Sequence, residues 1–503
     1  MRRSPLPPGA ALIGLAVALG PWLGLAPGQG ARADEKVEKP VSLGVKERVL
    51  ENGLTILTVE RARAPRVTCW LFFKTGSVNE RPGVTGISHL FEHLMFKGTK
   101  RMGVRDYALD QRLGRELDET WVALEAEKDE AKHAALEKKF EELRVREREN
   151  DIPDELWDLY LQNGATGLNA FTSEDMTAYI VTLPSNRLEL FMWMEADRVA
   201  NAVFREFYAE RDVVKEERRL DENSPEGPFW EELNAMFFMA HPYGWPVVGW
   251  MSDLDAITPE DCRQYFDIHY APNNAVLVIV GDVKAAEVEK LAERYFGPIP
   301  RGKKPPPEVR TQEPRPAGER RLTVKAQSRP KATILFHVPK VGHADGPVID
   351  VVQEVLSGKT GRLHTALVER DEAATSASAS HDARRFAGVF EVEAYAKEGV
   401  PPEKCAEALQ KELDRLAAEP VTEEDLKRAK NKLEADLLKQ LEDPERLTGL
   451  IGSSAVTHEW RHIERLPGLW RGVKAEDVQR VAKTYLGRDV RTVGILEAKG
   501  DGE

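Results

Sequence analysis

Two histidines and a glutamate fall within five positions of the apolar segment GISHLFEHLMFKGTK, residues 86–100. If this segment is helical, His89 and His93 are four residues apart on one face, where two imidazoles can bind the same zinc ion. Glu92 lies close to that face, where its carboxylate can take a proton from water and pass it to a leaving amine. The pattern therefore predicts metal-assisted hydrolysis. The alternative is two structural histidines beside an ordinary glutamate. By chance, a chain of this composition would contain the pattern only about 0.04 times.

A catalytic zinc ion needs a third protein ligand and keeps one open position. The best source of that ligand is FYAERDVVKEERRLDEN, residues 207–223, in which Glu210 and Glu217 flank two valines on one helical stripe. Acids on a stripe that otherwise faces the core are costly unless they are paired or bind a metal. Periodicity therefore favours Glu217 or Glu210 as the ligand, with the other acid behind it. An exposed acidic helix is the alternative interpretation.

The composition limits the classes of partner. The chain has 503 residues, of which 42% are hydrophobic, and its net charge is −13. This length and apolar content predict two or more domains with a sizeable core. Nucleic-acid binding requires clustered lysine and arginine, so the acidic balance argues against a nucleic-acid partner.

The first 33 residues have the parts of a secretory signal peptide. Arg2 and Arg3 precede an apolar stretch from about Ala10 to Leu25, and small residues precede a cleavage site after Ala33. A membrane anchor is the alternative, which the cleavage site disfavours. No later segment is long and apolar enough to cross a bilayer. We therefore predict a periplasmic or secreted protein with no transmembrane segment in the mature chain.

Strand and helix patterns divide the chain into two similar halves. Residues 43–297 and 319–498 each begin with β-rich runs and continue with helical patterns, and a Pro-rich linker at 298–318 separates them. In the first half, GLNAFTSEDMTAYIVTLP has the alternation of a β-hairpin, and helical patterns run over about 185–219. We predict an α+β fold of two homologous-looking halves, each an α/β sandwich in which an antiparallel sheet packs with helices.

One segment of the first half, about residues 106–162, departs from this pattern. It is dense in Glu, Lys, Arg, Ala and Leu, and apolar residues recur at helical spacing at Leu109, Leu113, Leu117 and Trp121. We interpret it as an inserted, solvated helical hairpin with one buried face. The alternative is an arm that docks a partner or gates access of the substrate.

Five segments of the sequence, taken together, resemble those of a known family. The segments HLFEH, GLNAFTSEDMTAY, ERDVVKEE, HPYGWPVVGW and YAPNNAVLVIVGDV occur in that order. They resemble the inverted-zinc-motif metallopeptidases of the pitrilysin/insulinase family (M16), and the two-domain length looks like its processing-peptidase-like subfamily. The resemblance extends over about residues 43–496. It implies a zinc metalloendopeptidase with one Zn²⁺ per chain, whose two halves enclose a chamber and admit unfolded peptides.

The resemblance also implies roles for residues at the predicted zinc site. His89 and His93 match the family's zinc ligands, and Glu92 matches its general base. Glu217 matches the third ligand, because the family places that glutamate seven residues after another required acid. That acid is Glu210 here, and we predict that it takes part in catalysis.

A substrate-binding strand is implied as well. The resemblance assigns extended substrate to the strand around Asn169 and Ala170, where a peptide would pair by strand addition. One departure lies near this strand: His93 and Glu217 are 124 residues apart, more than the family usually shows. The charged helical segment accounts for the excess, and it need not disturb the zinc site.

A second departure concerns the other half. The family's second half usually supplies an Arg and a Tyr, seven residues apart, that grip the substrate. The matching positions here are Val368 and Thr375, with Arg370 as a candidate substitute. We therefore predict a homologous partner subunit that supplies the missing pair, with a homodimer as the alternative assembly.

These observations predict an exported zinc-dependent endopeptidase that hydrolyses unfolded peptides by metal-activated water, with Glu92 as general base and with help from a partner subunit. One alternative is a zinc-binding but catalytically silent structural or assembly subunit of a heterodimer, against which the intact Glu92 argues. Another is a substrate-gripping subunit, but such a chain would keep the Arg/Tyr pair and lose the histidines.

Overall fold

Two β-sheets organise residues 41–499, which the computed structural model describes. The predicted signal peptide lies outside the described residues. In the first sheet the strands are β1 (Lys46–Val49), β2 (Thr55–Glu60), β3 (Arg66–Phe73), β4 (Thr166–Thr172), β5 (Thr177–Pro184) and β6 (Ala275–Gly281). In the second they are β7 (Arg320–Ala326), β8 (Lys331–Val338), β9 (Ala374–Asp382), β10 (Gly388–Ala396) and β11 (Thr492–Ala498).

Helices cover the faces of both sheets. The helices before the linker are α1 (Ile87–Leu94), α2 (Tyr107–Ala126), α3 (Glu130–Asn150), α4 (Glu155–Gln162), α5 (Leu188–Asn201), α6 (Phe207–Asn223), α7 (Gly227–Phe237), α8 (Met251–Ala256), α9 (Pro259–His269) and α10 (Ala285–Tyr295). Those after it are α11 (Gly346–Leu356), α12 (Pro402–Ala418), α13 (Glu423–Glu442), α14 (Pro444–Thr457), α15 (His462–Gly472) and α16 (Ala475–Tyr485). None of these described helices has the length and apolar composition that crossing a membrane requires.

The two sheets share one topology. Their strand orders are β1-β2-β6-β3-β5-β4 and β7-β11-β8-β10-β9, so they correspond strand for strand once β1 is set aside. Each has one parallel pair, β2 with β6 and β7 with β11, and its other neighbours are antiparallel. The α+β fold predicted from the sequence is confirmed, and the antiparallel expectation holds for all but this one pair in each sheet.

Apolar side chains on the central strands of the first sheet alternate between its two faces, so both faces need to be covered. On β3, Cys69 and Phe73 point to one face and join the core formed with helices of the first half. Trp70 and Phe72 point to the opposite face and join the core that is shared with the second half. Strand β6 is buried at every position, as its sequence AVLVIVG requires of a strand with helices on both sides.

The halves exchange helices across the sheets. Helix α14, from the second half, packs on β3 and β6, where a Cβ on Gly452 would lie 1.9 Å from the ring of Phe72. Helix α7, from the first half, packs on β7 and β11, where a Cβ on Gly494 would lie 2.7 Å from the ring of Phe229. Glycine is therefore required at both contacts, and the two sheets are bound into one unit by each other's helices.

A buried lysine marks the second of these contacts. Lys331, on β8, is 1% exposed, and its Nζ donates to Glu226 at 2.7 Å and to Glu393 at 2.8 Å. The same Nζ lies 4.4 Å from the centre of the Trp230 ring. Because Glu226 directly precedes α7 and Glu393 lies on β10, this ion pair joins the first half to the second sheet.

The predicted inserted segment forms the helices α2 and α3, which pack against each other, and the shorter α4. The two ends of the hairpin formed by α2 and α3 meet at Asn150, whose side chain donates to the carbonyl of Asp106 at 2.9 Å and accepts from the N–H of Asp106 at 3.2 Å. The Asp106 carboxylate also caps α2 by accepting from Ala108 and Leu109 N–H groups. The hairpin therefore leaves and rejoins the first half at one point.

The inserted hairpin also contacts helix α6. The hydroxyl of Tyr208 donates to Asp118 at 3.1 Å, and the guanidinium of Arg211 lies 4.5 Å from the centre of the Trp121 ring. Leu117 is buried beneath these contacts. Since α6 carries Glu210 and Glu217, the hairpin packs directly on the helix that supplies the predicted acids.

Candidate metal centre

Helix α1, which carries the paired histidines, starts close to another chain segment. At its N-cap, Gly86 has φ +87°, and a Cβ there would lie 2.2 Å from the carbonyl oxygen of Val248. Because glycine offers no capping side chain, Glu80 accepts from the N–H of Gly86 at 2.9 Å and of Ser88 at 2.8 Å. Burial raises the pKa of Glu80 to about 7. The first turn, which includes His89, is thus held by a carboxylate from outside the helix.

His89 and His93 are adjacent on α1, as their spacing predicts. Their ring centroids are 4.9 Å apart and the ring planes cross at 80°. Burial, and to a smaller extent the neighbouring His93, lowers the pKa of His89 to about 3, so its imidazole is neutral at physiological pH. A neutral imidazole is the form that binds a metal ion.

Glu217, on α6, lies beside both imidazoles. One carboxylate oxygen is 3.5 Å from Nε2 of His89 and 3.7 Å from Nε2 of His93. The three donor atoms lie within 4.8 Å of one another, and within residues 41–499 no other group of three His, Cys, Asp or Glu side chains does so. Burial raises the pKa of the Glu217 carboxyl. Geometry therefore places Glu217 where a third ligand would be.

Glu210 lies behind His93 instead. Its Oε2 is 3.3 Å from Nδ1 of His93, and its Oε1 is 2.6 Å from Nζ of Lys97. Burial opposes ionisation, but the hydrogen bond with His93 and the charge of Lys97 together lower the pKa of Glu210. An ionised Glu210 accepts the Nδ1 proton of His93 and leaves Nε2 available for a metal. The structure thus distinguishes two acids that periodicity could not.

This donor set fits a zinc ion. Two imidazole nitrogens and one carboxylate oxygen are a set that catalytic zinc accepts while one position stays open. In the part of the chain that the structure describes, the buried Nδ1 of His89 has no hydrogen-bond partner. The polar contact of the His89 ring is therefore the one that its Nε2 makes with Glu217.

Glu92 lies on α1 beside the cluster but outside the three-donor set. Its Oε2 accepts a hydrogen bond of 2.6 Å from the hydroxyl of Thr172, the last residue of β4. Burial raises the pKa of Glu92 to about 7, and the hydrogen bond from Thr172 opposes that rise. A carboxyl group that titrates near neutrality can accept a proton and return it.

Strand β4 is an edge of the first sheet and pairs on one side only, with β5. Asn169 on this strand is exposed, whereas the side chain of Ala170 is buried, and the pairing register shifts between Thr166 and Asn169. The free side of β4 offers backbone groups to an extended chain. Because Thr172 ends the same strand, this edge leads to Glu92.

Comparison with known families identifies the group to which this arrangement belongs. The model described as Insulinase (Peptidase family M16) matches residues 55–110 and 150–249, and that described as Peptidase M16 inactive domain matches 256–433. Together the matches cover more than half of the chain. The chain belongs to the M16 family of peptidases. The first match stops at 110 and resumes at 150, and most of α2 and nearly all of α3 lie in that gap.

Named relatives of this M16 chain include a zinc protease and a processing-peptidase subunit. It is 26% identical over 448 residues to the zinc protease PqqE of Helicobacter pylori, across 87% of this chain and 89% of the relative. It is 25% identical over 451 residues to the probable mitochondrial-processing peptidase subunit beta of Arabidopsis thaliana, across 87% of this chain and 75% of the relative. The predicted family is confirmed, and it is a family of metalloproteases.

Solved structures show the same fold. A protease from Helicobacter pylori has a TM-score of 0.77 at 24% identity, covering 91% of this chain and 99% of that chain. The first half of the periplasmic protease PqqL from Escherichia coli has a TM-score of 0.67 at 18% identity, covering 91% and 92%. The two-halved architecture is therefore that of M16 structures.

The positions at which M16 second halves were expected to carry Arg and Tyr hold other residues and other contacts. Val368 lies in a π-helical turn, His364–Arg370, and packs against the core of the second half. Thr375 lies on β9 and donates to a backbone carbonyl of β10. The guanidinium of Arg370 binds Asp371 at 2.7 Å and Glu412 at 3.3 Å. Arg370, the candidate substitute, is thus already paired with two acids of the second half.

Sequence analysis missed three residues that position the site: Glu80, Thr172 and Lys97. The first could have been sought, because a helix that starts at Gly86 needs a cap from elsewhere. The other two act across the tertiary fold, and no local pattern marks them.

The second half contains a histidine pair of its own, contrary to the expectation from the sequence that it lacks one. The segment HEWRH, residues 458–462, puts His458 and His462 four positions apart, with ring centroids separated by 5.5 Å. Helix α14 ends at Thr457 and α15 begins at His462, so the pair spans a turn instead of one helical face. Among the described residues no third donor joins it within 4.8 Å. This pair does not reproduce the metal geometry of the first half.

Proposed function

We propose that this chain is an exported zinc-dependent endopeptidase that cleaves unfolded peptides. His89, His93 and Glu217 hold the zinc ion, one per chain, and Glu92 is the general base. The observation that supports this proposal is the convergence of two imidazoles and one carboxylate beside a buried, separately held Glu92.

Each neighbouring residue has a defined part in this mechanism. When bound, zinc lowers the pKa of water and polarises the carbonyl of the substrate. Glu210 accepts the Nδ1 proton of His93, and Lys97 keeps Glu210 ionised. Glu92 takes a proton from water and passes it to the leaving amine, so one carboxylate serves both steps.

The substrate class follows from the free edge of β4. A peptide that pairs with the backbone around Asn169 and Ala170 must be extended, and folded proteins do not offer such a segment. The peptide would then run past Thr172, which holds Glu92 at 2.6 Å. We propose that β4 aligns the scissile bond in this way.

A partner chain is part of the proposal. The positions of the substrate-gripping pair carry Val368 and Thr375, and Arg370 is bound to Asp371 and Glu412. A homologous subunit would supply the missing groups, and a homodimer is the alternative assembly. The signal-like N-terminal sequence supports a periplasmic or secreted location.

Hydrolysis of a mixed quenched-fluorescent peptide library tests the proposal. The purified chain is compared with Glu92→Gln, which should lose turnover and keep its zinc, since Glu92 is not a ligand. Glu398→Gln, an exposed glutamate of the second half, is the matched control and should behave as the parent. Metal content is measured on all three proteins.

The outcomes separate the possibilities. Activity above the Glu92→Gln background in the isolated chain would establish the peptidase and contradict the need for a separate homologous subunit. Activity that appears only after a homologous subunit is added would support both parts. A zinc-loaded chain that stays silent with every homologous partner would instead indicate a structural subunit.

A further inference from the structure

The turn that follows strand β4 is held from both halves of the protein. Strand β4 ends at Thr172, and residues 173–176 connect it to β5. The turn is closed by the N–H of Ser173, which donates to the carbonyl of Met176 at 2.8 Å. Because Thr172 donates to Glu92, the position of this turn bears directly on that carboxylate.

On the side of the first half, a backbone segment that precedes α1 receives the turn. The N–H of Ser77 donates to the carbonyl of Ser173 at 3.2 Å, and the N–H of Val78 donates to the carbonyl of Glu174 at 3.0 Å. A Cβ on Gly76 would lie 2.1 Å from the Ser173 oxygen, so only glycine permits this approach. Two carbonyl groups of the turn are therefore fixed by the first half.

Asp175 is the buried acid of this turn, 5% exposed. One carboxylate oxygen accepts from the hydroxyl of Tyr243 at 2.7 Å, and the other accepts from the N–H of Arg385 at 3.0 Å. The Tyr243 hydroxyl in turn accepts from the N–H of Phe386 at 3.2 Å. A single carboxylate of the first half is thus joined to two N–H groups of the second half, one directly and one through Tyr243.

The residues of the second half in this contact belong to the turn between β9 and β10. In the shared strand order, β9 and β10 take the places of β4 and β5, so two equivalent turns meet. Arg384, in the same turn, pairs with Glu174 at 2.9 Å, and its guanidinium lies 5.1 Å from the centre of the Tyr243 ring. Both acids of the first turn, Glu174 and Asp175, therefore have partners in the second half.

Strand β4 depends on its turn more than an inner strand would. Among the described strands it pairs only with β5, and the pairing register shifts between Thr166 and Asn169. The carboxylate of Asp175 requires both of its hydrogen bonds, because a buried oxygen without a partner is costly. Loss of either bond should therefore release the end of β4 that carries Thr172.

We propose that Asp175 is a positioning residue through which the second half fixes β4 and, with it, Glu92. By holding the turn, Asp175 keeps the hydroxyl of Thr172 at 2.6 Å from the Glu92 carboxylate. The second half thus acts on the metal centre of the first through one buried contact. The role of Glu92 in this proposal rests on the proposed function, whereas the hold on β4 stands on the hydrogen bonds of the two turns.

Hydrogen–deuterium exchange of the full chain tests the hold on β4 whether or not the chain is active. In Asp175→Asn, an NH2 group replaces one acceptor oxygen, and segment 166–176 should exchange about tenfold faster. Exchange elsewhere and zinc content should match the parent. Asp267→Asn, an exposed acid of α9, is the matched control and should change neither.

A second pair of variants removes a hydroxyl instead of a carboxylate oxygen. Tyr243→Phe takes away the donor to Asp175 and should speed exchange in the same segment, 166–176. Tyr295→Phe removes a similar hydrogen bond to Glu189 at the surface of α10 and should leave that segment unchanged. If Asp175→Asn does not fold, Tyr243→Phe provides the same test.

Peptide hydrolysis tests the link to Glu92, with a homologous subunit added if activity requires one. Asp175→Asn should lower kcat/KM by about 10–100-fold, because small displacements of a catalytic group cost up to that much. Thr172→Val keeps the shape of the side chain and removes its hydroxyl. If Asp175 acts through Thr172, adding Asp175→Asn to Thr172→Val should lower kcat/KM far less than it does in the parent.

Several results would overturn the proposal. Unchanged exchange of segment 166–176 in both Asp175→Asn and Tyr243→Phe would show that the contact does not hold β4, and faster exchange across the whole described chain would indicate general destabilisation. Full activity with a released β4, or additive effects in the double variant, would disprove the link to Glu92. If the parent hydrolyses no more peptide than Glu92→Gln, the proposed function fails, and the exchange result still decides the hold on β4.

Discussion

The two sheets of this M16 chain share a strand order, and the helix after the equivalent central strand differs completely between them. Helix α1 follows β3 and presents His89 and His93 to α6. Helix α11 follows β8, and its face is apolar, with Val351, Val352 and Val355 fully buried. One architecture therefore supports a metal site in one half and a plain packing layer in the other.

An acid on α11 and the acid that faces α1 differ in the same way. In the second half, Asp350 lies 2.8 Å from Nδ1 of His381 and accepts from Trp470 at 2.9 Å, so each of its oxygens has a partner. In the first half, the Glu217 carboxylate lies 3.5 Å from Nε2 of His89 and 3.7 Å from Nε2 of His93, both longer than a good hydrogen bond. A carboxylate held at that distance from two imidazole nitrogens indicates a place for a cation, whereas a carboxylate with a partner on each oxygen indicates a structural role.

The largest difference between the halves should appear on removing a histidine from each. His89→Ala should lower zinc affinity by more than the ~100-fold that loss of a residue behind a ligand costs, and hydrolysis should fall with it. His462→Ala, from the second pair, should leave zinc content and hydrolysis unchanged. Metal analysis after dialysis measures both. Loss of zinc in His462→Ala would contradict the assignment of zinc binding to the first half alone.

The free energy of unfolding should show how much the contact between the two halves contributes to stability. Lys331→Met removes a buried cation from between Glu226 and Glu393 and should lower the free energy of unfolding by about 3–5 kcal/mol. Lys340→Met, at an exposed position of the same half, should change it by less than about 0.5 kcal/mol. Urea denaturation measures both. Equal effects would mean that the contact between α7 and the second sheet contributes little.

A smaller effect is expected where each helix begins. Glu80→Gln weakens the capping of α1 and should reduce zinc affinity by about 10–100-fold, because the turn that carries His89 loosens. Asp345→Asn, directly before α11, is the counterpart and should leave zinc affinity unchanged. Competition with a chelator gives both values. Turnover at saturating zinc should stay near the parent value for Glu80→Gln, as it should if Glu80 acts through the position of His89.

The smallest effect concerns pH and the inserted hairpin, which the second half lacks. Burial raises the pKa of Glu147 to about 8, above its value in the unfolded chain. The folded state therefore holds this proton more tightly, and its contribution to stability falls as pH rises from about 4.5 to 8. Glu147→Gln should match the parent near pH 4.5 and exceed its unfolding free energy by about 1–2 kcal/mol near pH 8.5. Parallel curves at all pH values, as expected for Glu398→Gln, would contradict the raised pKa of Glu147.

Local pattern was sufficient for part of this protein. The spacing of His89 and His93, the alternation of β4 and β5, and the apolar run of β6 each specify their own geometry, because side-chain direction follows from helix and strand periods. The order of the M16 motifs likewise specified the family, and with it the fold. None of these inferences needed to know which element packs against which.

Packing decided the rest. Periodicity could not choose between Glu210 and Glu217, since both lie on one stripe of α6, and only the packing of α6 on α1 puts one at the imidazole Nε2 atoms and the other at Nδ1. Thr172 reaches Glu92 across 80 residues of chain, and Glu226 reaches Lys331 across 105. Contacts of that range depend on the whole topology, so the sequence determined which groups are available and the tertiary structure determined which of them meet.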